Sequence, residues 1–282
     1  MEKKMNFLIS GSEGFIGKHT VELLQDKGHK VYGLDIKNSW TDDIRTGLCE
    51  YEFENYNIDY IIHLAALKSV PESFINPIDY NMTNINGTCN LLKYAKKYNV
   101  KKFVFASSAA VYGDSYPETQ PLSPYGLTKL VGEQYCEMLK VPYVALRYFN
   151  VYGEGTHEGV IPNFIKCALK NEPLKINGNG KNTRDFVYVG DIVQANISAC
   201  FNPTIVNKIY DVGSSVIPIN NLAKLIIKLT NSKSKIKYLS PVEGDIVHSV
   251  ANNSPIAKDL NFYPSVSLKE GLIKTINWIK NE

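Results

Sequence analysis

Tyr125 and Lys129 stand four residues apart in the run Ser123-Pro124-Tyr125-Gly126-Leu127-Thr128-Lys129. Ser123 suits a helix N-cap and Pro124 the first helical position, so the run predicts a helix start. That helix puts Tyr125 and Lys129 one turn apart on one face. A free phenol, with a pKa of about 10, is a poor base at neutral pH, but a nearby ammonium stabilises its phenolate. The pair could then exchange a proton with a substrate hydroxyl. The same spacing also occurs on solvated helices, so it needs support from elsewhere in the chain. Ser108, in the pair Ser107-Ser108 at the end of an apolar run, is the candidate to hydrogen-bond the reacting oxygen. Its plainer role would be a strand-end cap.

The support comes from Gly11-Ser12-Glu13-Gly14-Phe15-Ile16-Gly17, which directly follows the first apolar run and opens a helix-like stretch. Glycines there permit a tight turn, close approach of a pyrophosphate to the backbone, and close helix–strand packing. The helix N-terminus turns unpaired N–H groups and its positive dipole end toward the phosphates. Asp35 ends the second apolar run, where a ribose-binding acid belongs. Its carboxylate would repel a 2′-phosphate, which favours NAD over NADP; as a plain turn residue it would cap the loop. A nicotinamide cation beside Tyr125 would favour the phenolate further.

The elements that must position these residues follow from the alternation of apolar runs and helical periodicity. Asn6–Ile9, Lys30–Leu34, Tyr60–Leu64, Lys102–Ala106 and Val144–Arg147 read as buried strands. Lys18–Lys27 and Asn84–Tyr98 read as helices between them. Strand, helix, strand at this spacing implies crossover connections and a parallel sheet covered on both faces. The second half is punctuated at Gly153–Gly159, Asn177–Asn182 and Gly213–Pro218, with amphipathic helices expected at Asn220–Asn231 and Ser267–Lys280.

Composition narrows the classes. Of 282 residues, 44% are hydrophobic and 21% charged, which suits a folded globular chain. The 31 basic and 28 acidic residues are interspersed and leave a net charge of only +3, so no nucleic-acid or anionic-membrane partner is expected. The five cysteines form no CxxC pair and read as reduced, and the dispersed histidines give no metal-ligand spacing. The run Met5–Ser10 is too short for a signal-peptide core or a membrane span, so a cytoplasmic protein is expected.

Together these residues resemble the extended short-chain dehydrogenase/reductases, and among them the UDP-hexose 4-epimerases. The resemblance spans nearly the whole chain. Its motifs are the glycines of 11–17, Asp43-Ile44, His63-Leu-Ala-Ala-Leu-Lys68, Asn84-Ile-Asn-Gly-Thr88, Ser107-Ser-Ala-Ala-Val-Tyr-Gly113 and Tyr125-x-x-x-Lys129. Arg147-Tyr-Phe-Asn-Val-Tyr-Gly153, Arg184-Asp-Phe186 and Glu243-Gly-Asp245 follow in order.

The resemblance implies a doubly wound parallel sheet, the Rossmann arrangement, over residues 1–155. A smaller substrate-binding lobe would occupy 156–282, with the chain crossing back to the first domain. Gly11, Gly14, Phe15, Ile16, Gly17 and Asp35 would bind NAD, with Asp43 and Ile44 at the adenine. Leu64, Ala65, Ala66, Lys68, Asn84 and Ser107 would face the cofactor with Tyr125 and Lys129, and Tyr148 would lie near the nicotinamide. Ser108, Tyr125 and Lys129 would be catalytic. Lys68, Ser108, Tyr125, Phe149, Asn150, Val160, Arg184, Asp245 and Ser249 would form the substrate site. Asn150 and Arg184 would hold the nucleotide diphosphate, where a guanidinium matches phosphate oxygens. A homodimer built on helices near 84–98 and 125–140 is implied as well.

The expected reaction is C4 epimerisation of a UDP-hexose through a 4-keto sugar. Ala109-Ala110 stand where related dehydratases carry an acidic pair, which argues against elimination of water. Val242 replaces a frequent arginine, Asn177 stands where an aromatic residue commonly meets the base, and the 35–43 segment is short. A net reductase and a catalytically silent NAD-binding module are the other classes open at this point.

Overall fold

The computed structural model describes residues 4–46, 50–241, 246 and 248–282. They divide into two compact units. Unit 1 comprises Met1–Tyr148, Val193–Asp211 and Ser254–Phe262; unit 2 comprises Phe149–Ile192, Val212–Asn253 and Tyr263–Glu282. In chain order the elements begin β1 (Asn6–Ser10), α1 (Phe15–Asp26), β2 (Lys30–Leu34), α2 (Glu50–Tyr56), β3 (Tyr60–His63), α3 (Val70–Ile75) and α4 (Pro77–Tyr80). A π-helical turn, Asn81–Asn86, leads into α5 (Gly87–Lys97), β4 (Lys102–Ser108), α6 (Pro124–Leu139) and β5 (Tyr143–Tyr148). There follow β6 (Asn150–Tyr152), α7 (Val160–Leu169), β7 (Leu174–Asn177), β8 (Thr183–Tyr188), α8 (Val189–Phe201), β9 (Lys208–Val212) and β10 (Ser215–Pro218). The chain ends with α9 (Ile219–Thr230), β11 (Ile236–Leu239), α10 (Ser254–Leu260) and α11 (Leu268–Asn281).

Six strands form the central sheet in the order β2-β1-β3-β4-β5-β9. Neighbours from β2 to β5 run parallel, so the carboxyl ends of these strands share one edge. The strands are apolar throughout because both faces are covered: Phe7, Leu8, Ile9, Ile61, Ile62, Phe103 and Val104 are fully buried. The protein is therefore α/β with a Rossmann-like sheet. Helix α6 lies tight on β4, where a Cβ on Gly132 would come within 2.4 Å of the Phe105 ring. That closeness sets the helix carrying Tyr125 directly against the strand ending in Ser108.

The structure refines two sequence expectations. Asn84–Tyr98 is helical as read, but residues 81–86 form a π-helical turn before the α-helix begins at Gly87. Gly213–Pro218 is not wholly irregular, since β10 pairs antiparallel with β8 from Ser215↔Phe186 to Pro218↔Thr183. Within unit 2, β8 also pairs with β6, and β7 pairs parallel with β11. Among the described residues, no helix is long and apolar enough to cross a membrane.

Candidate active site

The glycine turn leaves β1 and enters α1 as expected. Gly11 has φ +73°, and a Cβ there would fall 2.7 Å from the Ala65 nitrogen; one on Gly17 would fall 2.0 Å from the Gly11 carbonyl oxygen. The N-cap, Gly14, offers no side-chain cap and the first turn of α1 holds no acid. Its N–H groups and dipole are thus disposed toward an anion rather than toward the protein. Phe15 and Ile16, half-buried, begin the helix. Asp35 lies half-buried past the end of β2. One of its carboxylate oxygens accepts from the Glu13 N–H at 3.0 Å and the other from the Lys37 N–H at 3.0 Å. It caps its own turn and braces the glycine turn, and each oxygen keeps a further lone pair. The chain's own geometry fits a dinucleotide here: a cradle that side chains would fill, an uncapped helix N-terminus, and an acid beside them.

At the adenine end the two expected residues differ in surroundings. The Asp43 carboxylate accepts a fork of Arg45 bonds of 2.7–2.9 Å, which holds it below the usual carboxylate range. Ile44 is core: its side chain packs on Gly87, and its carbonyl accepts from Asn90 Nδ2 at 2.8 Å. Only its backbone remains a candidate for cofactor contact.

Leu64, Ala65 and Ala66 line the half-buried loop after β3, and Lys68 stands exposed beyond them. This loop is held from beneath. Asn84, 2% exposed, accepts from the Leu67 N–H at 2.9 Å and donates to the Leu67 carbonyl at 2.9 Å and to Thr128 Oγ1 at 3.0 Å. Thr128 in turn donates to the Tyr125 carbonyl at 2.8 Å. The Asn84 amide, expected to face the cofactor, ties the 64–68 loop to α6.

His63, quoted above only as part of a motif, completes this underlayer. Thr88 Oγ1 donates its hydrogen to the Asn84 carbonyl at 2.6 Å, so toward His63 it can only accept. The ring then carries its proton on Nε2, 2.8 Å from Thr88, while Nδ1 accepts from Ser10 Oγ at 2.6 Å. Ser10 Oγ receives the Ala65 N–H at 3.3 Å. Burial, with the Lys129 charge nearby, holds the imidazole neutral at a pKa of about 3.

Ser123 caps α6, its hydroxyl accepting from the Gly126 N–H at 3.0 Å, with Pro124 at the first position. The Tyr125 ring meets Tyr80 edge-on with centroids 6.4 Å apart. Burial raises the phenol above its ordinary value, and the nearby Ser108 hydroxyl only partly offsets this. Ser108 accepts from the Ala110 N–H at 3.1 Å, the strand-end cap that was its plainer expected role. Lys129 does not point its charge at Tyr125. Its Nζ donates to the Ala106 carbonyl at 2.8 Å and lies 5.2 Å from the Phe105 ring centre. Burial draws this amine down to about 8. Without a cofactor cation beside it, burial favours the protonated phenol, and the lysine one turn along titrates at about 8.

The Ser107 hydroxyl turns away from the strand ends and donates to Glu133 Oε1 at 2.5 Å, leaving its backbone as the candidate contact. Tyr148 is likewise turned inward, donating to Asn196 Oδ1 at 2.6 Å.

Unit 2 carries the other expected residues. Phe149 is buried, and Asn150 donates from Nδ2 to the Asp185 carbonyl at 2.8 Å. Val160 is the first residue of α7, behind Gly159. Arg184 Nη1 donates to the carbonyls of Thr183 at 2.9 Å and Ile246 at 2.6 Å. The buried Asp185 carboxylate accepts from the N–H groups of Ser214 at 2.7 Å and Ala251 at 3.0 Å. Ser249 is half-buried beside His248, which bridges to Thr183; Asn177 is exposed at the end of β7. Val242, Glu243 and Asp245 lie outside the described residues.

Glu133 went unread in the sequence, although it continues the spacing of Tyr125 and Lys129 by one more turn. Arg147 Nε and Nη2 donate to its two oxygens at 2.8 and 2.7 Å.

With this geometry in hand, comparison with known proteins gives a consistent result. The model of the NAD-dependent epimerase/dehydratase family matches residues 7–213. A putative UDP-glucose 4-epimerase of Methanocaldococcus jannaschii is 36% identical over 303 residues, covering 97% of this chain and 98% of that protein. The crystal structure of a UDP-glucose 4-epimerase with UDP-glucose from Thermotoga maritima superposes with a TM-score of 0.92 at 32% identity, covering 98% of this chain and 99% of the other. A UDP-N-acetylglucosamine 4-epimerase from Methanobrevibacter ruminantium, in complex with UDP-N-acetylmuramic acid, gives 0.89 at 33% identity and 99% of each chain.

Proposed function

This chain belongs to the NAD-dependent epimerase/dehydratase family, and we propose that it epimerises C4 of a UDP-hexose, interconverting UDP-glucose and UDP-galactose. It is an enzyme with NAD as its cofactor, and its relatives act on UDP-sugars. The observation that carries the reading is the placing of Tyr125 near Ser108 at the carboxyl edge of the sheet, with Lys129 one turn along and the neutral Ala109-Ala110 beside it. Such a set moves one proton at a hydroxyl. It lacks an acid at 109–110 to expel water, which favours epimerisation over dehydration.

NAD held by the glycine turn and Asp35 supplies a reversible hydride acceptor for the C4 carbon. The chain's own groups do the rest. Tyr125 Oη takes the O4 proton and later returns it. Ser108 Oγ holds the same oxygen as it passes between alcohol and carbonyl in the 4-keto sugar. Lys129 contributes positive charge behind the phenol, against the burial that favours the protonated form. Asn150, Val160, Arg184 and Ser249, with Phe149 and Asp245, form the candidate nucleotide-sugar set, and Arg184 is the diphosphate cation. On this reading residues 1–155 bind the cofactor and 156–282 mainly the substrate. A homodimer would use helices near 84–98 and 125–140, where Leu127 and Met138 of α6 are exposed. The four described cysteines are free, in keeping with a cytoplasmic enzyme.

The test is turnover without added cofactor. Protein purified with bound NAD and given UDP-glucose should form UDP-galactose by NMR, with no net reduction of NAD. Stoichiometric accumulation of reduced cofactor would make it a net oxidoreductase. Absence of turnover on UDP-, GDP- and dTDP-sugars would leave a silent NAD-binding module.

A further inference from the structure

Glu133 is the third residue of a ladder, Tyr125, Lys129 and Glu133, repeating every four positions along α6. Its side chain is 3% exposed, yet it carries a full bidentate pair to Arg147 and accepts the Ser107 hydroxyl. Ser107 and Arg147 are register partners on β4 and β5. The Arg147 guanidinium lies 4.7 Å from the centre of the Tyr112 ring, and Tyr112 donates to Asp211 Oδ1 at 2.6 Å. One buried carboxylate thus joins α6, β4 and β5 immediately beneath Ser108. The Ala106 carbonyl that receives Lys129 and the Ser108 hydroxyl that meets Tyr125 sit on either side of the Ser107 it grips.

We propose that Glu133, paired with Arg147, is a positioning residue for the reaction: it locks the strand carrying Ser108 to the helix carrying Tyr125 and Lys129 and so fixes the surroundings of Lys129. A buried ion pair is weak evidence of stabilisation, because apolar residues of similar volume often do as well. Its position is what argues for a task. Burial lowers Lys129 to about 8, and Glu133 is the charge that opposes the fall. The other groups around the amine give no such help. From β4 come the Ala106 carbonyl and the Phe105 ring; from β3 comes His63, neutral and protonated on Nε2; from β5 comes the Arg147 cation, itself held by Glu133; and Tyr125 lies one turn back on α6.

The inference rests on the catalytic reading of Lys129, so its test begins without substrate. In NAD-loaded protein carrying isotope-labelled lysine, the Lys129 resonance, assigned by its loss in Lys129→Arg, is titrated. Glu133→Gln should lower its midpoint by about one pH unit, near the low end for loss of an adjacent opposite charge. Glu133→Gln combined with Arg147→Gln leaves no uncompensated buried charge, and serves if the single variant fails to fold. It should also titrate below wild type. Glu133→Asp should recover most of the shift. In turnover the alkaline limb of the kcat profile should follow Lys129 to lower pH, with KM for the nucleotide sugar unchanged. An unmoved Lys129 titration in these variants would overturn the role of Glu133 and leave the reaction untouched. A shifted titration in a protein inactive on every nucleotide sugar would support the coupling of Glu133 to Lys129 but overturn the UDP-hexose reading and, with it, a positioning role in that reaction.

Discussion

In unit 1 the Asn84 amide makes three hydrogen bonds to Leu67 and Thr128, and His63 is bonded through both ring nitrogens. In unit 2 Arg184 leans on the carbonyls of Thr183 and Ile246, Ser249 follows the single bridge at His248, and Asp245 falls outside the described residues. The first set stands on strand ends and a capped helix, supported by a second layer of fully engaged polar groups. In the second, Arg184 stands on β8 and Ser249 in the irregular stretch after His248. A proton-transfer group must be held to within a fraction of an ångström, which demands such a layer. A group that distinguishes one sugar from another sits where chain variation costs little stability. On the proposed reading, chemistry and specificity are carried by two differently built parts of one chain.

The strongest way to break this comparison is to disable the rigid side at one atom. Tyr125→Phe removes the phenol oxygen and leaves the ring against Tyr80. It should keep the fold and bound NAD while losing roughly 10²–10⁴ in kcat. Near wild-type kcat would remove Tyr125 from proton transfer and with it the division of labour.

Cofactor choice tests the same side at its outer edge. On cofactor-stripped protein, calorimetry should give NAD an affinity on the order of 10² above NADP. A 2′-phosphate facing Asp35 costs a few kcal/mol at an effective dielectric between that of water and of a protein surface. Equal dissociation constants would reduce Asp35 to the turn brace that its bonds to Glu13 and Lys37 already make it.

His63 tests the underlayer through pH. Its folded pKa, about 3, lies below the unfolded value of about 6.5. The unfolded chain therefore takes up a proton that the native ring refuses. This contribution to stability is complete above pH 6.5 and is lost as pH falls from there toward 3. By pH 5 the loss should be about 2 kcal/mol, roughly thirtyfold in the unfolding constant. Urea unfolding at pH 7 and pH 5 should show that difference, and His63→Gln should lack it. Identical pH dependence in the two proteins would mean that the ring is not the buried neutral group described.

Legibility in the sequence followed a different divide, between local signals and distant partners. β1, β3, β4 and the start of α6 could be read because burial on both faces leaves continuous apolar runs, and because Ser123-Pro124 is a local helix signal. The π-turn at 81–86 and strand β10 could not, since each answers to a partner far along the chain: Leu67 and Thr128 for one, β8 for the other. Tyr125, Lys129 and Ser108 were found by spacing and order, whereas the roles of Glu133 and His63 emerged only from what they touch. The turning of the Asn84 and Ser107 side chains into the protein left no local mark at all, because side-chain direction there is decided by tertiary hydrogen bonds.

The open side is sharpened by Ser249. By resemblance to galactose-type epimerases, this position borders the sugar C2 substituent, and a bulky aromatic there excludes an N-acetyl group. Serine is small, is half-buried, and its hydroxyl could also satisfy an amide. A solved structure that superposes with a TM-score of 0.89 is that of a UDP-N-acetylglucosamine 4-epimerase. The wild-type enzyme should then interconvert UDP-GlcNAc and UDP-GalNAc as well as UDP-glucose and UDP-galactose. Ser249→Tyr should lower kcat/KM for the N-acetyl pair by about tenfold relative to the other pair, since a steric clash rejects one substrate without harming the second. The effect is the smallest of the four because a loop can yield to a new ring more readily than a strand end. The measurement is the ratio of kcat/KM for the two pairs before and after substitution. A wild type restricted to the non-acetylated pair, or an unchanged ratio in the variant, would move the specificity contact to another residue of the loop.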